Sequence, residues 1–186
     1  MSAPGSPASR SARPPQRAAE AAVQPAVAAP VMRPMTVADL DGVMAVEVQA
    51  YGHPWSRGNF TDSLAAGYVA EVLHEPRSQA LIGYFIAMPG VEELHLLNIT
   101  VAPSHQHQGW GLLLLRAVRE RAQARAARAV WLEVRAGNAR ARAVYEAFGF
   151  AEQGLRRGYY PASSSRREDA VVMRLDLTLE PHDAAD

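Results

Sequence analysis

The stretch Val101-Ala-Pro-Ser-His-Gln106-His107-Gln108-Gly109-Trp110-Gly111-Leu112 decides how this chain is read. It begins where a β-branched run closes at Val101 and leads into an apolar-periodic run that starts at Leu112, so it reads as a strand-to-helix turn. Free N–H groups at a helix start, the positive end of the helix dipole and glycines that let a ligand approach the backbone together make an anion site suited to a pyrophosphate. A plain glycine turn looks the same in isolation. The sequence contains no lysine, which excludes a P-loop. The strands before the turn read as a meander and not as an opening βαβ unit, which argues against a dinucleotide fingerprint.

Upstream, three strand-like runs (Tyr68 to Leu73, Leu81 to Met88, Leu94 to Val101) are separated by turns at Glu75-Pro76 and Pro89-Gly90, a spacing that predicts an antiparallel meander. Two helices precede it. One runs from the capping-box-like Thr36 and Asp39 to near Tyr51, and the other is capped by Ser56, with Phe60 and Leu64 on its buried side. Downstream, Leu112 to Arg128 reads as one long amphipathic helix with Leu112, Leu115, Val118 and Ala122 along its apolar stripe. A strand from Val130 to Val134, a helix capped by Asn138 and stopped at Gly149, and two strands near Ala151 to Tyr159 and Ala170 to Leu177 follow. This order predicts an α/β fold: a mixed, mostly antiparallel sheet flanked by helices on both faces.

At 186 residues, 48% hydrophobic and 20% charged, the chain holds one core. Residues 31–178 are expected to form it, with residues 1–30 a disordered Ala/Pro-rich tail and 179–186 a flexible C-terminus. Zero cysteines exclude disulfides, thiolate metal sites and a cysteine acyl-enzyme. Nineteen basic residues balance nineteen acidic ones, so bulk charge gives no reason to expect nucleic acid or a membrane surface as partner. No run approaches the ~20 apolar residues that span a bilayer. Cytoplasmic residence and a monomeric state are the default expectations. His105 and His107 find no third ligand at suitable spacing, so no metal is expected.

The Gln106 to Gly111 turn resembles the Q/R-x-x-G-x-G/A signature of the GNAT superfamily of acetyl-CoA-dependent N-acetyltransferases, and the resemblance extends over residues 32 to 177. Trp131-Leu-Glu133-Val-Arg135-Ala-Gly-Asn138, Tyr145-Glu-Ala-Phe-Gly-Phe150, Gly158-Tyr-Tyr160-Pro161 and Arg167-Glu-Asp-Ala170 are similar to the RimI-type branch of ribosomal-protein-alanine acetyltransferases. The resemblance implies the GNAT fold, acetyl-CoA as cosubstrate and, as acceptor, the N-terminal alanine of the eighteenth small-subunit ribosomal protein. It implies that Ile99, Thr100 and Val101 contact the pantetheine arm along a strand edge. By the same carry-over, His107, Gln108, Gly109, Trp110, Gly111 and Leu112 wrap the pyrophosphate, and Asn138 lies near the thiol end. Glu133 matches the family's general base and Tyr145 its general acid. His107 is a departure, since the family commonly has a cation such as arginine there; with phosphate contacts made mostly by backbone N–H groups, the expected effect on affinity is small.

Acetyl transfer to an amine needs a neutral nucleophile, a polarised thioester carbonyl and a protonated leaving thiolate. The lack of cysteine fits direct attack in a ternary complex. Glu133 alternates with Leu132 and Val134, so it faces away from them. It is either a base, acting directly or through water, or a strand carboxylate paired with Arg135, with His95 as the reserve base. Tyr145 is either the acid or, with Phe148 one turn on, a core aromatic. An α-amine of pKa ~8 is more often neutral at neutral pH than a lysine of pKa ~10.4, a difference of roughly 3 kcal/mol that favours protein N-termini. Tyr159 and Tyr160 are candidates to wall the acceptor groove, and Glu168 or Asp169 to attract a basic residue after the target N-terminus; an ordinary solvated hairpin explains them equally. Other protein N-termini, lysines or a small amine remain as alternative acceptors, and a non-catalytic acyl-CoA-binding scaffold as the alternative function.

Overall fold

A computed structural model describes residues 29–161 and 167–178. The expectations for the first 28 residues and for 179–186 lie outside the described residues. Strand β1 (Val31–Pro34) leads through a 3-10 turn into helices α1 (Leu40–Ala50) and α2 (Arg57–Ala65). The meander follows as β2 (Val69–His74), β3 (Leu81–Pro89) and β4 (Glu93–Val101), then α3 (Trp110–Gln123), β5 (Ala129–Arg135), α4 (Ala139–Phe148), β6 (Ala151–Pro161) and β7 (Arg167–Asp176). The seven strands form one sheet in the order β1-β2-β3-β4-β5-β7-β6, antiparallel except for the β4–β5 pair.

The sheet buries both faces, as the strand alternation requires. Phe85 and Ala87 of β3 pack with Leu114, Leu115, Val118 and Ala122 of α3. Their neighbours Tyr84 and Ile86 face Leu40 and Val43 of α1 and Phe60 of α2. Both upstream caps form: Asp39 accepts from the Thr36 backbone N–H at 2.8 Å, and the Ser56 hydroxyl accepts from the Asn59 N–H at 3.2 Å.

Two elements, β1 and α3, differ from the sequence reading. Strand β1 escapes a periodicity argument because it is four residues long and ends in proline, which an edge strand tolerates where a central one would not. Helix α3 stops at Gln123 and not near Arg128: Ala126 turns left-handed (φ 54°), and Arg128 bonds back to the Glu92 carbonyl to start β5. No residue in Ala124 to Arg128 is a helix breaker, so the stop comes from the sheet. Leu112 is 39% exposed, and Leu114 takes its place in the buried stripe.

Candidate active site

Strands β4 and β5 are in register from Glu93 opposite Ala129 to Leu96 opposite Leu132, and pairing ends there. Both strands continue, β4 to Val101 and β5 to Arg135, but β5 stays with β7 along its whole length and leaves β4 behind. The gap is a cleft of about 290 Å³ whose lining includes Tyr51, Ile99, Glu133, Asn138, Tyr145 and Tyr160.

An abandoned strand edge has backbone groups to satisfy. Ala102 donates to Ile82 of β3, so alternate residues of β4 turn their N–H and C=O groups toward β3 and those between turn toward the cleft. Two cleft-side carbonyls are met by side chains: Ile99 C=O accepts from the Tyr51 hydroxyl at 3.1 Å, and Val101 C=O accepts from Gln106 Nε2 at 3.2 Å. Ile99 and Val101 therefore lie on the open edge, as expected for contact with a ligand's amides. Thr100 does not: its backbone faces β3 opposite Tyr84, and its hydroxyl donates to Asn98 Oδ1 at 2.9 Å.

The turn below β4 brings α3 to the same end of the cleft. Gly109 caps α3 with φ 86°, a left-handed conformation that favours glycine, and it makes no side-chain cap bond. The helix has no acidic residue in its first turn, so its leading N–H groups stay available to an anion. Asn138 caps α4 through Oδ1, which accepts from the Ala141 N–H at 3.1 Å, and its amide group remains at the cleft wall.

Glu133 lines the cleft with its side chain 25% exposed and pairs with Arg156 of β6 at 3.0 Å. The pairing with Arg135 weighed from the sequence is not formed: Arg135 bonds Glu168 at 3.1 Å and stacks over the Tyr160 ring at 4.5 Å. Tyr145 meets Phe150 edge-on at 5.7 Å and also lines the cleft, so it is both a core aromatic and part of the cleft wall. Burial, reinforced by the neighbouring Tyr51 and Tyr160 phenols, pushes its pKa well above the usual tyrosine range. Tyr160 is pushed to about 12, first by burial and then by the Glu133 charge, and its hydroxyl donates to the Glu133 carbonyl at 3.0 Å.

The sequence model of the acetyltransferase (GNAT) family matches residues 40–150. The chain belongs to the GNAT acetyltransferase family. It is 36% identical over 141 residues, 76% of this chain and 93% of the relative, to the [ribosomal protein bS18]-alanine N-acetyltransferase of Escherichia coli K12. The protein of the same name from Haemophilus influenzae is 36% identical over 135 residues, 73% of this chain and 90% of that one. The crystal structure of the ribosomal-protein-S18-alanine N-acetyltransferase from Escherichia coli aligns with a TM-score of 0.74 at 32% identity, covering 85% of this chain and all of that one.

For a GNAT protein the His107 departure has a local answer. Arg140, at the start of α4, lies against that ring, with guanidinium nitrogens 2.6 and 3.1 Å from Nδ1 and Nε2. A neutral imidazole accepts at one nitrogen only, so part of this cation stays unpaired beside the turn. Sequence reasoning missed Arg140 because it sits 33 positions from its partner. It missed Arg156, Glu47 and Tyr51 for the same reason. Glu168 is committed to Arg135 and also accepts from Gly137 N–H at 2.8 Å, whereas Asp169 accepts only the neutral Gly158 N–H, through Oδ1 at 2.7 Å, and has no cationic partner among the described residues. His95 pairs with Glu93 at 2.8 Å and is not part of the cleft lining. Among the described residues no group of three or more potential metal ligands occurs, and no helix is long and apolar enough to cross a membrane.

Proposed function

We propose that this GNAT protein transfers acetyl from acetyl-CoA to the N-terminal alanine amine of ribosomal protein bS18, by direct attack in a ternary complex in the cytoplasm. The observation that carries this reading is the β4–β5 cleft, which gathers Glu133, Tyr145 and Asn138 beside the open edge of β4. The bS18-alanine acetyltransferases it resembles along three quarters of its length support the acceptor.

In this reading Ile99 and Val101 offer backbone groups to the pantetheine arm, while the turn His107 to Leu112 and the neighbouring Arg140 hold the phosphates. Glu133 leaves Arg156 and takes the proton of the attacking amine, directly or through water. As the amine nitrogen bonds to the thioester carbon and the carbon–sulfur bond breaks, Tyr145 gives its proton to the leaving thiolate. The phenol is protonated at neutral pH, so that proton is in place when the carbon–sulfur bond breaks.

The test is mass spectrometry of a panel incubated with acetyl-CoA: a peptide with free N-terminal Ala-Arg, an N-blocked lysine peptide and a small polyamine. Modification of the first alone is expected. Modification of lysine or polyamine would keep the family and move the acceptor. Bound cofactor with no transfer to any of the three would favour a scaffold.

A further inference from the structure

Acetyl transfer as described gives the acceptor amine a proton acceptor, Glu133, but no group that holds it in place before attack. Along the cleft, with Glu47, Asn98 and Tyr51 in its lining, runs a hydrogen-bonded chain that this chemistry does not use. Glu47 is 1% exposed, and its carboxylate draws only neutral donors among the described residues: the Trp55 N–H at 2.8 Å, the Tyr84 hydroxyl and the Asn98 amide at 3.4 Å. Asn98 has one workable orientation, because a reversed amide would set Oδ1 against that carboxylate. With Nδ2 toward Glu47, Oδ1 accepts from Thr100, whose single hydroxyl proton is thereby committed. Tyr51 Oη lies 3.0 Å from Thr100 Oγ1 and 3.1 Å from the Ile99 carbonyl oxygen. Both offer lone pairs, and both belong to β4. The one proton of Tyr51 points at the strand whichever it chooses, so its oxygen has only lone pairs left for a visitor in the cleft.

We propose that Tyr51 binds the acceptor amine, its Oη accepting one N–H while the buried Glu47 carboxylate favours the approach of a cationic amine. This deepens the function proposed above and rests on it. Once Glu133 has taken its extra proton, an amine held by an N–H has its lone pair for the thioester carbon, whereas a carbonyl or carboxylate has no donor to offer and is refused. Burial, ahead of the nearby Glu47 charge, raises the Tyr51 pKa and keeps the phenol intact at neutral pH.

The decisive variant is Tyr51→Phe, which removes one hydroxyl from the end of α1 and leaves the ring. Steady-state kinetics in both substrates, calorimetric binding of the acceptor peptide to the enzyme–CoA complex and a melting curve form the assay. The expected result is a rise of roughly 2- to 10-fold in acceptor KM and Kd, the worth of one hydrogen bond, with acetyl-CoA KM unchanged and Tm lowered by only about 1–5 °C for the lost bond to Ile99. An unchanged acceptor KM in a folded variant overturns the proposal. A change confined to acetyl-CoA KM overturns it too, and makes Tyr51 only a cap on Ile99. A wild-type enzyme that acetylates nothing in the panel sinks the functional reading instead.

Discussion

Gly83→Ala should be felt in both stability and cofactor use, and the structure sets the size of the effect. Gly83 lies on β3 opposite Val101, with α3 above it. A Cβ there would stand 2.5 Å from the Thr100 carbonyl oxygen, 3.1 Å from Leu114 Cδ1 and 3.3 Å from Val101 Cα. Carbon and carbonyl oxygen meet comfortably at about 3.3 Å, so the first contact is short by about 0.8 Å. Leu114 can rotate away, but Thr100 O is backbone and moves only with β4. That strand is free to yield on one side only, toward the cleft that β5 has vacated. Overpacking costs about 1–3 kcal/mol. The lower unfolded-state entropy of alanine returns about 0.4–1 kcal/mol. A net loss of roughly 1–2 kcal/mol lowers Tm by about 2–8 °C in a chain of this size. Thermal melting and steady-state kinetics measure the two consequences together, with acetyl-CoA KM expected to rise as Ile99 and Val101 shift. A variant with wild-type Tm and wild-type acetyl-CoA KM would refute the claim that the close approach of β3 sets the β4 edge.

Arg140→Ala should raise acetyl-CoA KM by roughly 3- to 10-fold at low ionic strength, with the gap closing as salt is added, because an exposed cation is screened; a salt-independent or absent effect would leave Arg140 as a surface partner of His107. Glu133→Gln and Tyr145→Phe should each lower kcat by about 10²- to 10⁴-fold while CoA binding, followed by calorimetry, stays intact; full activity in Glu133→Gln would return that residue to being the partner of Arg156. Tyr51, Tyr84, Tyr145, Tyr159 and Tyr160 all have raised pKa values, with burial the leading cause in each. Their contribution to stability is complete below the unfolded tyrosine value of about 10 and is lost as pH rises through the folded values. Denaturation midpoints should therefore fall above about pH 10, and phenolate absorbance should lag the free-tyrosine curve. Phenolate absorbance of the folded protein that follows the free-tyrosine curve would contradict this.

Much of this molecule is legible along the chain because its signals are local. The meander shows in three alternating runs, the caps in Thr36, Ser56 and Asn138, and the strand-to-helix turn in two glycines spaced for a helix start. The misses are non-local. Strand β1 is strand only because β2 lies beside it, and the end of α3 is imposed by Arg128 joining the carbonyl of Glu92. By itself, then, the sequence determined the element order after β1, the turn that opens α3 and the chemical types of Glu133, Asn138 and Tyr145. Tertiary structure alone decided that β5 parts from β4 after Leu96, that Glu133 meets Arg156 in place of Arg135, that Arg140 reaches His107, and that the Tyr51 proton faces β4. The physical reason is range: periodicity and capping act within a few residues, whereas strand divergence and hydrogen-bond direction depend on partners tens of residues away that only folding brings together.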